Sequence, residues 1–185
     1  MNRRELLRMI GLATGAAFIG GNTLLAGCAT SSSAALTFSA ADAELLDAVT
    51  ETILPRTDTP GARDAEVGSF MQIFVNDCYS PAEQATFHAG LLQLERRSAE
   101  EYGGKFNSLT AEQRLALINT LDSEARQQLA SGGEAHYFTM IKQLTLFGFF
   151  TSEVGGTQAL RHVPVPGRFD GCVSYEEGQP AWATQ

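Results

Sequence analysis

VGSFMQIFVNDCYSPAE, residues 67–83, shows in one short stretch the pattern that recurs along the chain. Val67, Phe70, Met71, Phe74, Val75 and Cys78 fall at i, i+3, i+4, i+7, i+8 and i+11, the spacing that lines one face of a helix. Ser80-Pro81-Ala82-Glu83 then restarts the pattern. The serine can cap, the proline sits where a missing N–H costs nothing, and the glutamate closes a capping box. The stretch predicts a helix over about 65–79, with another beginning at once.

Outward from there the same signals repeat. Ser39 with Asp42 forms a capping box ahead of Leu45, Leu46, Val49 and Ile53, and Pro55 stops the turn, so a first helix is expected over about 40–54. Between these two helices Pro60-Gly61 has the composition of a type II turn. The helix starting at Ser80 carries Phe87, Leu91, Leu94 and Tyr102 and ends at Gly103-Gly104. Thr110 to Gln113 caps a fourth, with Leu115, Ile118 and Leu121 inward. A fifth begins near Glu134 and includes Tyr137, Phe138, Ile141, Leu144, Phe147, Phe149 and Phe150. That last segment is apolar around most of its circumference, which calls for burial on all sides or partly against another chain. From His162 to Gln185 neither period is present, and Pro and Gly predict an irregular tail. The expected fold is all-α: a small bundle of about five helices with an irregular C-terminal tail, preceded by a signal segment and without internal repeats.

The N-terminal segment is of another kind. Arg3, Arg4 and Arg8 make a basic start, no charge follows from Met9 to Ala41, and glycines dilute the apolar stretch. A spanning helix wants about 20 predominantly apolar residues, so this reads first as an export signal, and paired arginines are the mark of the twin-arginine route, which carries folded cargo. The other reading is an uncleaved membrane helix. Leu25-Ala26-Gly27-Cys28 has the form of a lipobox, which would make Cys28 the acylated first residue of the mature chain; a plain cut near Ala35 would discard it. The expected organisation is a signal peptide over 1–27, a Ser/Ala-rich tether over 28–38 and a helical domain over 39–185. Loss of Arg3, Arg4, Arg8 and Glu5 with that signal would move the formal net charge from −8 to −10. Such acidity argues against nucleic acid and against charge-driven binding to anionic lipid, and suits a basic partner.

Chemistry-bearing motifs are missing. There is no CxxC, no CxxCH, no four-cysteine set, no GxGxxG and no phosphate loop; Gly103-Gly104-Lys105 runs into Phe106. His88, His136 and His162 lack metal-ligand spacing, Glu100-Glu101 and Glu176-Glu177 are adjacent in sequence, and Ser69 is not in GxSxG. No catalytic, cofactor-binding or metal-binding residue is expected in this chain. The aromatic run at Phe147, Phe149 and Phe150 reads as core packing before it reads as a quinone or flavin pocket. Cys78 and Cys172 can pair with each other, pair with another chain or stay buried as thiols, and the position of Cys78 on the inward stripe reads as a buried thiol.

Three blocks, Ile53-Leu54-Pro55-Arg56-Thr57-Asp58-Thr59-Pro60-Gly61-Ala62, Phe147 to Gly155, and Pro166-Gly167-Arg168-Phe169-Asp170-Gly171-Cys172, resemble the gluconate 2-dehydrogenase subunit 3 family in that family's order. The resemblance implies a small non-catalytic subunit of a periplasmic, membrane-associated sugar or polyol dehydrogenase. Its large subunit, of the glucose-methanol-choline oxidoreductase type, would hold FAD, and a multihaem cytochrome c subunit with haem c would pass electrons on. The small chain would lend its signal to the folded large subunit at the twin-arginine translocase. The membrane would be reached through a lipid anchor or through the complex. Pro60, Gly61, Phe149 and Phe150 are the expected partner contacts, and Cys172 the candidate for an inter-subunit disulfide, against an internal bridge to Cys78. Two other classes stay open: a stand-alone envelope lipoprotein that binds a ligand or protein, and an enzyme in its own right.

Overall fold

Residues 37–133, 136–165 and 167–183 are described by a computed structural model. Arg3, Arg4 and Cys28 lie outside them. The described residues are helical, with α1 Ala40–Ile53, α2 Val67–Cys78, α3 Pro81–Tyr102, α4 Ala111–Ala130 and α5 Tyr137–Thr151. A short 3-10 turn, Phe106–Ser108, precedes α4, and a π turn, Gly155–Ala159, follows α5. Among the described residues no helix is long and apolar enough to cross a membrane.

The starts of the helices follow from their caps. Ser39 and Asp42 exchange side-chain and backbone bonds at 3.2 and 2.8 Å, and Ser80 with Glu83 does the same at 3.4 and 2.8 Å. Thr110 and Gln113 repeat the box at α4. Each box satisfies N–H groups that the first helical turn leaves unpaired. Gly103, with φ of 76°, ends α3 in the left-handed conformation that glycine tolerates best. At the α2–α3 corner the Gln84 side-chain amide donates to the carbonyls of Val75, Asn76 and Tyr79 at 3.0–3.1 Å, satisfying the frayed end of α2.

Helix α5 packs on all four of the others, and α1 packs on α2, α4 and α5. Leu46, Val49, Val67, Met71, Val75, Phe87, Leu94, Leu117, Leu121 and Ile141 are wholly buried between them. Among the described residues the buried Thr50, Ser98 and Thr145 are satisfied locally: Thr50 donates to Asp47 O, Ser98 to Gly104 O and Thr145 to Ile141 O. Glycines set the closest crossings. A Cβ on Gly90 of α3 would lie 2.4 Å from the Tyr137 ring of α5, and one on Gly148 of α5 would lie 2.6 Å from Phe70 of α2.

Several details differ from the sequence reading. Helix α2 begins at Val67 because the chain before it is a tight turn, with Glu66 left-handed at φ 51°. Leu115 is half exposed, and Leu117 is buried in its place. The inward stripe of α4 is centred on Leu117, Ile118, Leu121 and Ala125, which puts Leu115 at its edge. Gly61 has no left-handed φ, so Pro60-Gly61 is not the type II turn its composition suggests.

Candidate functional site

The loop between α1 and α2 is held by two carboxylates. Glu51, at the end of α1, accepts from the backbone N–H of Arg56 and of Arg63, each at 3.0 Å. Asp64 accepts from Gly61 N–H at 2.8 Å and pairs with the Arg56 guanidinium. The hydrogen bond from Arg56, then that from Gly61, holds the Asp64 carboxyl below the usual carboxylate range. A Cβ on Gly61 would lie 2.6 Å from Arg56 N and 2.7 Å from a Glu51 oxygen, so this glycine is required by close approach. Of the expected contacts here, Gly61 is buried and Pro60 half-buried, and the loop instead turns Arg56, Thr57, Asp58 and Thr59 outward.

Ion pairs tie the helices along their polar edges. Arg97 of α3 reaches Glu101 at 2.9 Å and Glu124 of α4 at 2.5 Å, and Asp122 of α4 accepts from Lys142 of α5 at 2.6 Å and from Arg126 at 2.5 Å. The Lys142 hydrogen bond, more than the Lys142 and Arg126 charges, lowers the Asp122 pKa. Beside the Arg97 pair, Tyr137 is 6 % exposed and its hydroxyl has no hydrogen-bond partner. Burial pushes its phenol up to about 12. Burial also lowers the pKa of His136, whose Nδ1 accepts from Phe138 N–H at 3.2 Å and caps α5.

Nothing among these groups converges on a reacting centre. A groove of about 140 Å³ beside Asp122 and Lys142 is lined by Thr52, Ile118, Asn119 and Phe138, and wider recesses of about 390 and 600 Å³ lie beside Phe150 and along the tail at Trp182. Among the described residues no three His, Cys, Asp or Glu side chains stand together as a metal site. His88 stacks on Phe38 at 4.3 Å, His136 is a cap and His162 lies exposed after α5, so the three do not meet.

Aromatic side chains form the more distinctive feature. Phe147 of α5 lies 5.8 Å from Phe70 and 5.7 Å from Phe74 of α2, and the series continues through Tyr79 and Phe87 to Phe38. Its outer end is at the surface: Phe147, Phe150 and Ile73 are exposed. The all-round burial expected of α5 is therefore incomplete. Phe149, expected at a partner contact, is 3 % exposed and belongs to the core of this chain, because its helical position turns inward with Thr145 and Gly148. Phe150 is exposed.

After the π turn the chain forms an arm closed at its foot. Arg161 N–H donates to Ala181 O at 2.8 Å, Ala183 N–H donates to Arg161 O at 3.0 Å, and the Arg161 guanidinium lies 3.9 Å from the Trp182 ring centroid. Between these feet Phe169 is 94 % exposed and Tyr175 74 %, with Val165 and Val173 also outward. Cys172 sits on this arm, exposed and free. Cys78 is exposed and free too, which corrects the buried-thiol reading and leaves the two cysteines unbonded to each other. Cys78 is the last residue of α2, past the point where the apolar stripe is covered. Sequence reasoning missed Ile73, Glu51, Asp64, Phe169, Tyr175 and Trp182. The signals were Ile73 standing off its helix's apolar template and large apolar residues in a tail without a period.

A family model described as gluconate 2-dehydrogenase subunit 3 matches residues 40–167, from the start of α1 into the arm. No curated protein and no solved structure matches the chain.

Proposed function

The chain belongs to the gluconate 2-dehydrogenase subunit 3 family, and from that membership we propose that it is the accessory subunit of a periplasmic dehydrogenase complex. Its partner is an FAD-containing large subunit of the glucose-methanol-choline type, with a multihaem cytochrome c subunit as a further member. This chain escorts the folded flavoprotein through the twin-arginine translocase and stabilises it. The reaction belongs to the partner's pocket, and the substrate is set there. Lipid on Cys28 and the complex itself are the means by which it stays at the membrane.

The observation that carries this reading is the family match over 40–167, which takes in all five helices and the first foot of the arm, on a chain that opens with Arg3 and Arg4. Exposed aromatic side chains on α5 and the arm support it, since aromatic residues are enriched in the buried centres of protein interfaces. Obligate interfaces of this kind bury about 2,000 Å² or more. The test is to replace Arg3 and Arg4 with Lys and to follow the flavoprotein. Escort predicts that the flavoprotein stays in the cytoplasm with its FAD bound; normal arrival in the periplasm overturns the escort role.

A further inference from the structure

The exposed aromatic side chains of the described residues are not scattered. Phe147 and Phe150 lie on α5, and Phe169, Tyr175 and Trp182 lie on the arm. The other large apolar side chains left exposed on the helices beyond α2, Leu92, Leu115, Leu129 and Leu146, are aliphatic, and of these Leu129 and Leu146 share one small groove.

The two aromatic groups are continuous. Phe147 joins Phe70 and Phe74 of α2. Phe150 lines a groove of about 390 Å³ whose far wall is His162 and Ala183, the feet of the arm. Beyond Trp182 and Arg161 a broader recess of about 600 Å³ is lined by Phe169 and Val173. The result is a run of exposed aromatic side chains from α2 across α5 to the arm, interleaved with the polar groups of the two grooves, among them Ser152, Glu153, Arg161 and Asp170.

Its size fits a protein partner. The five aromatics are 49, 41, 94, 74 and 46 % exposed; at about 200 Å² for each side chain they present roughly 600 Å². A stable standard interface buries about 800 Å² on each partner. Its rim argues against a second copy of this chain. Glu66, Asp77, Glu153, Glu176 and Glu177 are all exposed around the band, whereas Arg161 is stacked on Trp182, Arg168 is paired with Asp170 at 2.8 Å, and Arg63 stands beside Asp64. Two such faces would bring like charges together in a chain of net charge −8.

We propose that this band is the seat of the flavoprotein subunit, with Ile73, Phe147 and Phe150 as its half on the helices and Phe169, Tyr175 and Trp182 as its half on the arm, and that the partner's matching face is apolar with a basic rim. The proposal rests on the accessory-subunit reading. It transfers docking from the α1–α2 loop, whose Glu51 and Asp64 carboxylates are spent on Arg56, Gly61 and Arg63, to the exposed face of α2 and α5 and to the arm.

The test uses the full chain, tagged and expressed in its own host, and reads flavin recovered per mole of chain. Ile73→Ser with Phe150→Ser, and separately Phe169→Ser with Tyr175→Ser, should each lower recovered flavin at least tenfold. Leu92→Ser with Leu129→Ser should stay within twofold of the unaltered chain. The arm pair touches no core residue, so its thermal unfolding should match the unaltered chain and separates docking from folding. Amide exchange over 161–183 should slow in the complex relative to the chain alone. Flavin retained by both band pairs, or lost equally by the Leu92 and Leu129 pair, overturns the band while leaving the accessory role intact. An unaltered chain that recovers no flavin overturns the accessory role and the band with it. A flavin-free dimer of this chain that both band pairs dissociate assigns the band to a second copy and also overturns the proposal.

Discussion

Gly90→Ala sets two known effects against each other at the α3–α5 crossing. Alanine in the interior of α3 improves helix propensity by about 1 kcal/mol. Its methyl group would stand 2.4 Å from Tyr137 Cδ2, 2.5 Å from Cγ and 2.6 Å from Cβ. Ordinary carbon contacts lie near 3.5–4.0 Å, so the two helices must part by about 1 Å. Because one of the clashing atoms is the Tyr137 Cβ, turning the ring does not relieve the contact. Overpacking of this kind costs about 1–3 kcal/mol, and loss of neighbouring contacts along a crossing this tight places the cost toward the upper end. The net expectation is destabilisation by about 1–2 kcal/mol, which for a domain near this size lowers Tm by roughly 2–8 °C. Gly156→Ala is the control: nothing lies within 4 Å of its Cβ, and its Tm should stay within about 1 °C. Thermal unfolding of the purified chain followed by circular dichroism reads both. A Gly90→Ala chain that melts higher than the unaltered one would mean that propensity wins, and that α3 and α5 do not cross at Gly90 and Tyr137.

Tyr137→Phe removes a buried hydroxyl that has no hydrogen-bond partner and should stabilise the chain by about 1 kcal/mol at neutral pH. The phenol is pushed up to about 12 from 10.0, so its neutral form is favoured on folding. Ionisation leaves folding unaffected below the unfolded value of 10.0, and the chain loses stability as pH rises from there toward about 12. The Phe variant should lack that alkaline decline in denaturant unfolding. Asp122→Asn breaks the bridge from α4 to Lys142 and should cost about 1 kcal/mol at neutral pH. The folded pKa of Asp122 lies below the ordinary carboxylate value of 3.8, so the difference between variant and unaltered chain should shrink as pH falls through and below 3.8. A variant equally less stable at every pH would refute the assigned pairing. Cys172→Ser should abolish a reducible band joining this chain to the flavoprotein on non-reducing electrophoresis, while Cys78→Ser should leave it; an unaltered complex whose mass does not change on reduction rules the bond out.

The architecture was legible where chemistry is local. Capping boxes at Ser39, Ser80 and Thr110 need only three or four neighbouring residues, and all three fall where the sequence places them. Stripes at period 3.6 likewise found Phe87, Leu91, Leu94, Ile118 and Ile141 in the core. What the period does not encode is how far a neighbouring element extends. Cys78 satisfies the template of α2 and is nonetheless exposed, and Leu115 lies on the edge of its stripe. The α1–α2 loop was misread for a related reason: Gly61 answers a carboxylate on α1, ten residues back, and no rule for adjacent residues contains that partner. The surface band was hidden because its parts belong to three segments. Phe147 read as core, Phe150 entered as a contact only through the family likeness, and Phe169, Tyr175 and Trp182 fall in a stretch with no period to interpret.

The bonds between Arg161 and the backbone of Ala181 and Ala183 bring the chain back to where the arm departs from the bundle. The arm is thus a loop anchored at both ends, and its most exposed aromatic ring, at Phe169, lies between the two anchors. A protease cut between Phe169 and Tyr175 would therefore open the loop and still leave both of its ends held at the foot, so the two pieces would stay together until the bonds at Arg161 give way.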